Sequence, residues 1–443
     1  MRCAASLGPV PLDTWLQKRG LPPQPLALRT VPRGGRGLVA VSPIPAGAAL
    51  LRVPEALLLT RQRCVADAPE PLRAALDALP EWSCLAAFLS TQRALGDASD
   101  WAPYLAALPD APGGLLSWPQ AAVPALLRGT SLAPDAASRL ASVDAAAAAM
   151  PPALRDAGAT AQSLRWSFAQ LFSRLIRLPG LSDTLALVPW ADFLNHGCAG
   201  GSAHLDWCPA ERCVVLQSRT KAYAPGDEVT ASYGARSSGE LLLSYGFAPC
   251  AQPGEAELNA PNEAVTLRLR LRTEAQDAAA PLRRQAWARM QRRNADVGAS
   301  ADDDGSTAAF ALRAGGGFAP GLLPWARLAT APVGNEAQAA MLAADAATDA
   351  PARAAPPPSR AEDAAAREFV LDAIREALRE LDAADAAVPA ASAKGGKARG
   401  KAPPLAPRVD PELVAAVAAV RRVERRVLQR AEFVLRAELR ALR

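Results

Sequence analysis

Strand-forming residues fall into two groups far apart in this chain, so any fold must bring them together across a long helical stretch. The first group runs from Leu38 to Thr60, where short β-favouring runs (Leu38-Val39-Ala40-Val41, then Leu50-Leu51-Arg52-Val53) alternate with Pro43, Pro45, Gly47 and Pro54. The second comprises Leu185-Ala186-Leu187-Val188, Cys213-Val214-Val215-Leu216 and Glu228-Val229-Thr230-Ala231-Ser232-Tyr233, the last closed by Gly234. Between them, about residues 71–180, the texture is Ala- and Leu-rich at helical spacing, broken at Pro103, Pro109, Pro112-Gly113-Gly114, Pro119 and Pro151-Pro152. An α+β fold follows, in which a β-unit is split by a helical insertion.

Beyond about Pro261 the chain reads as mainly helical. Segments around Pro281 to Met290 and Glu336 to Ala346 have helical texture, and Val370, Ile374, Leu378 and Leu381 recur at helical spacing. Asp410-Pro411-Glu412 is a helix start, an acceptor at the N-cap followed by Pro at the first helical position, with an apolar face through Leu413, Val417, Val420, Val427, Ala431 and Val434. Residues 382–408, dominated by Ala, Gly, Pro and Lys, bury too little apolar surface to offset their ordering entropy and are expected to be a disordered insertion. The expected division is therefore 1–255 and 256–443.

With 443 residues, half of them apolar, the chain can bury a sizeable core in two domains. It has no apolar run of the length that spans a bilayer, and its start is a poor secretory signal, so a membrane role is set aside. Seven cysteines at irregular spacing do not form a disulfide framework, and a reducing compartment is expected. The net charge of +5 is nearly accounted for by Lys394, Lys397, Arg399 and Lys401 in one Gly/Ala/Pro-rich stretch, which reads as a solvated linker; nucleic acid is not an expected partner.

Three patterns carry chemistry. Arg33-Gly34-Gly35-Arg36-Gly37-Leu38-Val39-Ala40 is dense enough in glycine for the backbone to turn sharply and approach a ligand. Val188-Pro189-Trp190-Ala191-Asp192-Phe193-Leu194-Asn195-His196 ends a strand in a cluster of hydrogen-bonding groups; the nearby Cys198, His204, Cys208 and Cys213 raise zinc as an alternative, but the usual short Cys-Cys spacing is missing and no metal is expected. Finally, Tyr233-Gly234 and Tyr245-Gly246 flank a predicted short helix around Ser238 to Ser244, offering two tyrosine hydroxyls to one place.

Together these patterns resemble the SET-domain family of protein methyltransferases, in particular the branch that includes the Rubisco large-subunit methyltransferase and the actin-histidine methyltransferase. Trp101-Ala102-Pro103-Tyr104-Leu105 with Leu108-Pro109 also resembles a signature of that branch. The resemblance is strong from about Gly34 to Phe247 and weaker in the C-terminal half, where Val420 to Leu428 is similar to the last helix of the branch's substrate-binding domain. It implies a SET-domain β-structure with a pseudoknot and a helical insertion, followed by a helical substrate-binding domain.

The resemblance also implies roles. Gly35, Arg36, Gly37, Arg174, Asn195, His196 and Phe247 would bind S-adenosylmethionine, Tyr233 would be catalytic, and Asp192 and Tyr245 would line the substrate channel. The implied activity is methylation of a lysine in a non-histone protein by a monomeric enzyme of the chloroplast or cytoplasm. The chain lacks the cysteine cluster of zinc-dependent histone methyltransferases, since only Cys250 closely follows Tyr245. Protein-histidine methylation and a silent SET-fold scaffold that binds a partner are the alternatives.

Overall fold

The computed structural model describes residues 11–32, 35–198, 204–218, 220–252, 254–293, 306–347, 358–387 and 409–442. The basic stretch at Lys394 to Lys401 and the segment 388–408 lie outside the described residues. Two compact units are present: one comprises residues through Gln120, Ala136–Arg236 and Glu240–Pro249, the other Ala121–Asp135, Ser237–Gly239 and the chain from Cys250 onward.

Among the described residues the first unit holds ten strands: β1 (Leu26–Val31), β2 (Gly35–Ala40), β3 (Ala49–Pro54), β4 (Leu59–Thr60), β5 (Ile176–Leu178), β6 (Thr184–Leu187), β7 (Asn195–His196), β8 (His204–Cys208), β9 (Cys213–Gln217) and β10 (Glu228–Ala231). They form three small sheets, ordered β1-β2-β10-β7, β3-β9-β8 and β4-β6-β5. Each sheet contains strands from both sides of the helical insertion, as the split β-pattern requires. Every pairing is antiparallel except β7 with β10, which run parallel with Thr230 opposite Asn195 and Ala231 opposite His196. The inner faces bury Leu38, Leu50, Leu51, Val53, Val214, Leu216 and Val229 in one core with the insertion helices. Removing such side chains from water supplies the main driving force for the assembly.

The helical region begins at Arg61, ahead of the expected start near residue 71, and its last helix ends at Arg174; residues 176–178 are strand β5. Helix Arg61–Asp67 opens on polar residues that mask its periodicity, but Thr60 caps it by accepting the Arg63 N–H at 3.2 Å. Helices Glu81–Ala94 and Ala161–Arg174 pack together through a buried hydrogen bond between the Ser90 and Ser167 hydroxyls at 2.8 Å. Thr160 caps the second of these on the Ser163 N–H.

The second unit surrounds Trp325, Leu322, Val370, Ile374 and Leu435, all shielded from solvent. Its helices Ala280–Arg293, Leu322–Thr330, Glu336–Ala347, Arg360–Ala387 and Pro411–Leu442 carry most of it. It also contains a two-stranded antiparallel sheet, β11 (Ala264–Arg270) with β12 (Thr307–Arg313), which the mainly helical expectation omits. The period-two pattern was legible: Val265, Leu267, Leu269 and Leu271 are buried, while Thr266, Arg268 and Arg270 alternate with them. Helix Arg360–Ala387 extends through residues 382–387, so the first part of the expected disordered insertion is helical.

Segment 121–135, interior to the expected insertion, belongs to the second unit. Arg421 donates to the carbonyls of Leu126 and Arg128 at 2.7 and 3.3 Å, and the Glu424 carboxylate accepts the Ser131 hydroxyl at 2.6 Å and its backbone N–H. Gly129, at φ +74°, lies so close that a Cβ would stand 2.6 Å from the Glu380 carbonyl oxygen.

Candidate active site

The parallel pairing of β7 with β10 is the geometric origin of the site. It sets Asn195 and His196 beside the end of β10, from which the chain runs directly into Tyr233. The Asn195 amide donates to the Glu228 carboxylate at 2.7 Å and to the Arg36 carbonyl at 3.2 Å, tying β7 to β10 and β2. Gly37 makes that approach possible: a Cβ there would stand 2.7 Å from Glu228 Oε1 and 2.8 Å from Asn195 Nδ2. Gly35 adopts φ +67° with open space where a side chain would be, so its backbone is accessible.

Four rings gather beyond β10. The Tyr233 and Tyr245 centroids are 4.5 Å apart, His196 lies 5.1 Å from Tyr233 and 5.9 Å from Phe247, and Phe247 lies 6.1 Å from Tyr245. His196 Nδ1 accepts the backbone N–H of Tyr233 at 3.1 Å, so the proton of the neutral ring resides on Nε2. Burial lowers the His196 pKa, favouring that neutral form, and Nε2 is enclosed with no partner among the described residues. The Tyr233 hydroxyl donates to the Leu194 carbonyl at 2.6 Å. Burial, reinforced by Tyr245, pushes the Tyr233 phenol well above its ordinary pKa. Tyr245 ends helix Ser238–Tyr245, and its place is set by Gly246, at φ +86°, whose missing side chain admits the backbone of Gly113.

Asp192 lies on the other side of Leu194. It follows Trp190, a buried non-glycine residue at φ 84°, ψ −57°, a γ-turn geometry that costs about 1–3 kcal/mol and persists only where the surroundings enforce it. Arg174, at the end of its helix, supplies part of that enforcement by donating to the Asp192 carbonyl at 2.6 Å, with Nε on the Gln170 side-chain oxygen at 3.1 Å. Asp192 Oδ2 accepts the hydroxyl of Tyr104 at 2.5 Å, while Oδ1 is enclosed and has no partner among the described residues. Burial pushes the Asp192 carboxyl up to about 6 against the lowering influence of Arg174 and Tyr104.

Nine of the ten residues singled out in sequence are linked by these contacts: Arg36, Gly37, Arg174, Asp192, Asn195, His196, Tyr233, Tyr245 and Phe247; Gly35 adjoins them on β2. The Arg36 side chain donates to the Ala107 carbonyl at 2.5 Å and lies over the Phe193 ring, as does Arg174. Sequence reasoning gave no role to Glu228, Gln170, Gly113 or Tyr104; the last was noted only as part of a signature, although a tyrosine buried beside an acidic partner is a recognisable site element. Among the described residues, no group of three or more His, Cys, Asp or Glu is placed to hold a metal ion. No helix among them is long and apolar enough to cross a membrane.

Residues 35–234 match the SET domain family. Among curated proteins, the chain is 29% identical over 233 residues to human N-lysine methyltransferase SETD6, covering 48% of each chain. It is 27% identical over 278 residues to human SET domain-containing protein 4, covering 55% of this chain and 59% of that one. These matches thus span about half the length of the curated relatives. Among solved structures, the SET domain of LSMT bound to lysine and AdoHcy superposes with a TM-score of 0.69 at 21% identity, covering 97% of this chain and 91% of that one. Rubisco LSMT bound to AdoMet gives 0.68 at the same identity, with 97% and 92% covered. The parallel Asn195-His196 pairing and the tyrosine that follows β10 both lie within the residues that match a SET domain, and the superposition on LSMT shows the same fold.

Proposed function

We propose that this protein is an S-adenosylmethionine-dependent methyltransferase acting on a lysine side chain of a protein. The observation that carries the reading is the aromatic cluster of Tyr233, Tyr245, Phe247 and His196, with the Tyr233 hydroxyl 2.6 Å from the Leu194 carbonyl. The names of the relatives support it: SETD6 is an N-lysine methyltransferase, and the structural neighbours were solved with lysine, methyllysine, AdoMet or AdoHcy.

The residues present fit the cofactor. The enclosed Nε2–H of His196 has no partner among the described residues, the backbone at Gly35 is open, and Gly37 leaves no room for a side chain. Gly35, Arg36, Gly37, Asn195 and His196 would hold S-adenosylmethionine, largely through backbone groups, with Phe247 against its adenine and Arg174 meeting its carboxylate. When bound, it supplies a methyl group on a positively charged sulfur. The protein's task is to present a neutral amine in line with that methyl, and alignment supplies much of the rate.

Tyr233 orients the amine. Its single proton is committed to the Leu194 carbonyl, so its oxygen is left as an acceptor for an incoming N–H. Its raised pKa keeps it a neutral phenol near neutral pH, so it acts as an orienting group and not as an ionised base. The Tyr245 ring, 4.5 Å away, forms an apolar wall that disfavours a charged ammonium relative to the free amine.

Incubation with labelled cofactor and a soluble cell extract tests the reading: a labelled protein band is expected, with the label on lysine. Tyr233→Phe should abolish the label while the raised melting temperature with S-adenosylmethionine persists. Full transfer by that variant, or no cofactor shift in the wild type, would overturn the proposal.

A further inference from the structure

The Tyr104–Asp192 pair is a buried titratable contact with no role in the scheme above. Tyr104 is shut off from solvent in helix Ala102–Ala107, within the helical insertion, and its hydroxyl donates to Asp192 Oδ2 at 2.5 Å. Arg174 fixes the same residue from the main-chain side, through the Asp192 carbonyl at 2.6 Å. One carboxylate oxygen is thus occupied, the backbone is clamped, and Oδ1 remains enclosed with no partner among the described residues. A buried acceptor left unpaired costs about 1–3 kcal/mol unless a ligand satisfies it. Asp192 stands two residues before Leu194, whose carbonyl accepts the Tyr233 hydroxyl at 2.6 Å.

We propose that Asp192 Oδ1 accepts the proton that the substrate ammonium must lose, and that Tyr104 is the positioning residue that holds the carboxylate for this transfer. This inference rests on the methyltransferase reading. In the step, an N–H bond of the ammonium breaks, its electron pair stays on nitrogen, and the proton forms an O–H bond on Oδ1. A neutral amine and a neutral carboxylic acid result, and the acid later returns its proton to solvent.

The surroundings suit that task. The groups acting on the Asp192 carboxyl are Arg174 from one helix, Tyr104 from another and its own backbone N–H. Burial pushes the carboxyl up to about 6, making it a stronger base than an ordinary aspartate, while Arg174 and Tyr104 pull it down far enough to stay ionised at neutral pH. Tyr104→Phe removes one group that favours the ionised form, so the Asp192 pKa must rise in that variant.

Two readouts test the proposal. Without cofactor, stability should fall as pH rises from about 4 through about 6, because the folded carboxyl holds its proton more tightly than the unfolded one. Asp192→Asn should lose that slope, and Tyr104→Phe should carry it to higher pH. In transfer assays, the acid limb of kcat against pH should move upward in Tyr104→Phe, with the rate largely recovered at alkaline pH. Asp192→Asn should lose about a hundredfold or more in kcat at every pH with cofactor affinity retained. An unmoved acid limb in a folded Tyr104→Phe overturns the positioning role, and near-normal kcat in Asp192→Asn overturns the whole inference. If Tyr104→Phe does not fold, Asp192→Asn alone decides. Failure of the methyltransferase reading would look different: no transfer and no cofactor shift in the wild type.

Discussion

The two units bury charge in different ways. In the second unit, several buried charges bond to the chain itself: Arg283 donates to the carbonyls of Leu328 and Ala331 and pairs with Asp277, and Glu263 accepts from Ser238 and Asn259. Arg421 and Glu424 likewise hold segment 121–135. In the first unit, ionisable groups gather around one spot, and among the described residues Asp192 Oδ1 and His196 Nε2 have no partner. A charge bonded to several backbone groups acts as a clamp even where, as at Arg421 Nε, one atom is left over, whereas leftover atoms gathered with aromatic rings in one place mark a candidate ligand site.

The strongest test of the clamp side is Arg283→Met. It strands two carbonyls and Asp277, and should destabilise the second unit by about 3–5 kcal/mol, read from denaturant unfolding. A loss below about 1 kcal/mol would mean that this guanidinium is not a clamp. Next is Glu424, whose burial pushes its carboxyl up to about 7 despite the lowering influence of Ser131, Arg421 and Arg268. The folded carboxyl holds its proton more tightly than the unfolded one. Stability should therefore decline as pH rises from about 4.5 to about 7, by about 3 kcal/mol, and Glu424→Gln should remove that decline. An identical pH profile in the variant would remove Glu424 from the comparison. Smallest is Gly37→Ala on the site side: the new methyl must displace Asn195 or Glu228, weakening cofactor binding by about tenfold, or about 1.4 kcal/mol, in a titration. Unchanged affinity would show that the Asn195 placement does not matter.

Much of the site was legible because the residues that meet in space are also grouped in sequence. Asp192 to His196 span a turn and a short strand, and Tyr233 and Tyr245 bracket one helix, so local motifs reported a tertiary cluster. Glu228 and Gln170 carried no such signal, since a surface-type Glu and a helical Gln look alike whether or not they meet a partner. Tyr104 stood in a recognisable motif, but its partner lies 88 positions away, a distance that periodicity does not bridge.

By itself the sequence determined the split β-unit, the helical insertion, the long C-terminal helices and the chemistry-bearing segments, because these rest on local spacing, turn residues and caps. Only the tertiary structure decided the parallel register of β7 on β10, the β11–β12 pair within a largely helical unit, and the assignment of segment 121–135 to the second unit. It alone decided which oxygen of Asp192 is occupied and which is free. The physical reason is the same throughout: pairing, close approach and hydrogen-bond satisfaction are set by residues remote in sequence, and nothing in the local spacing specifies which of them will meet.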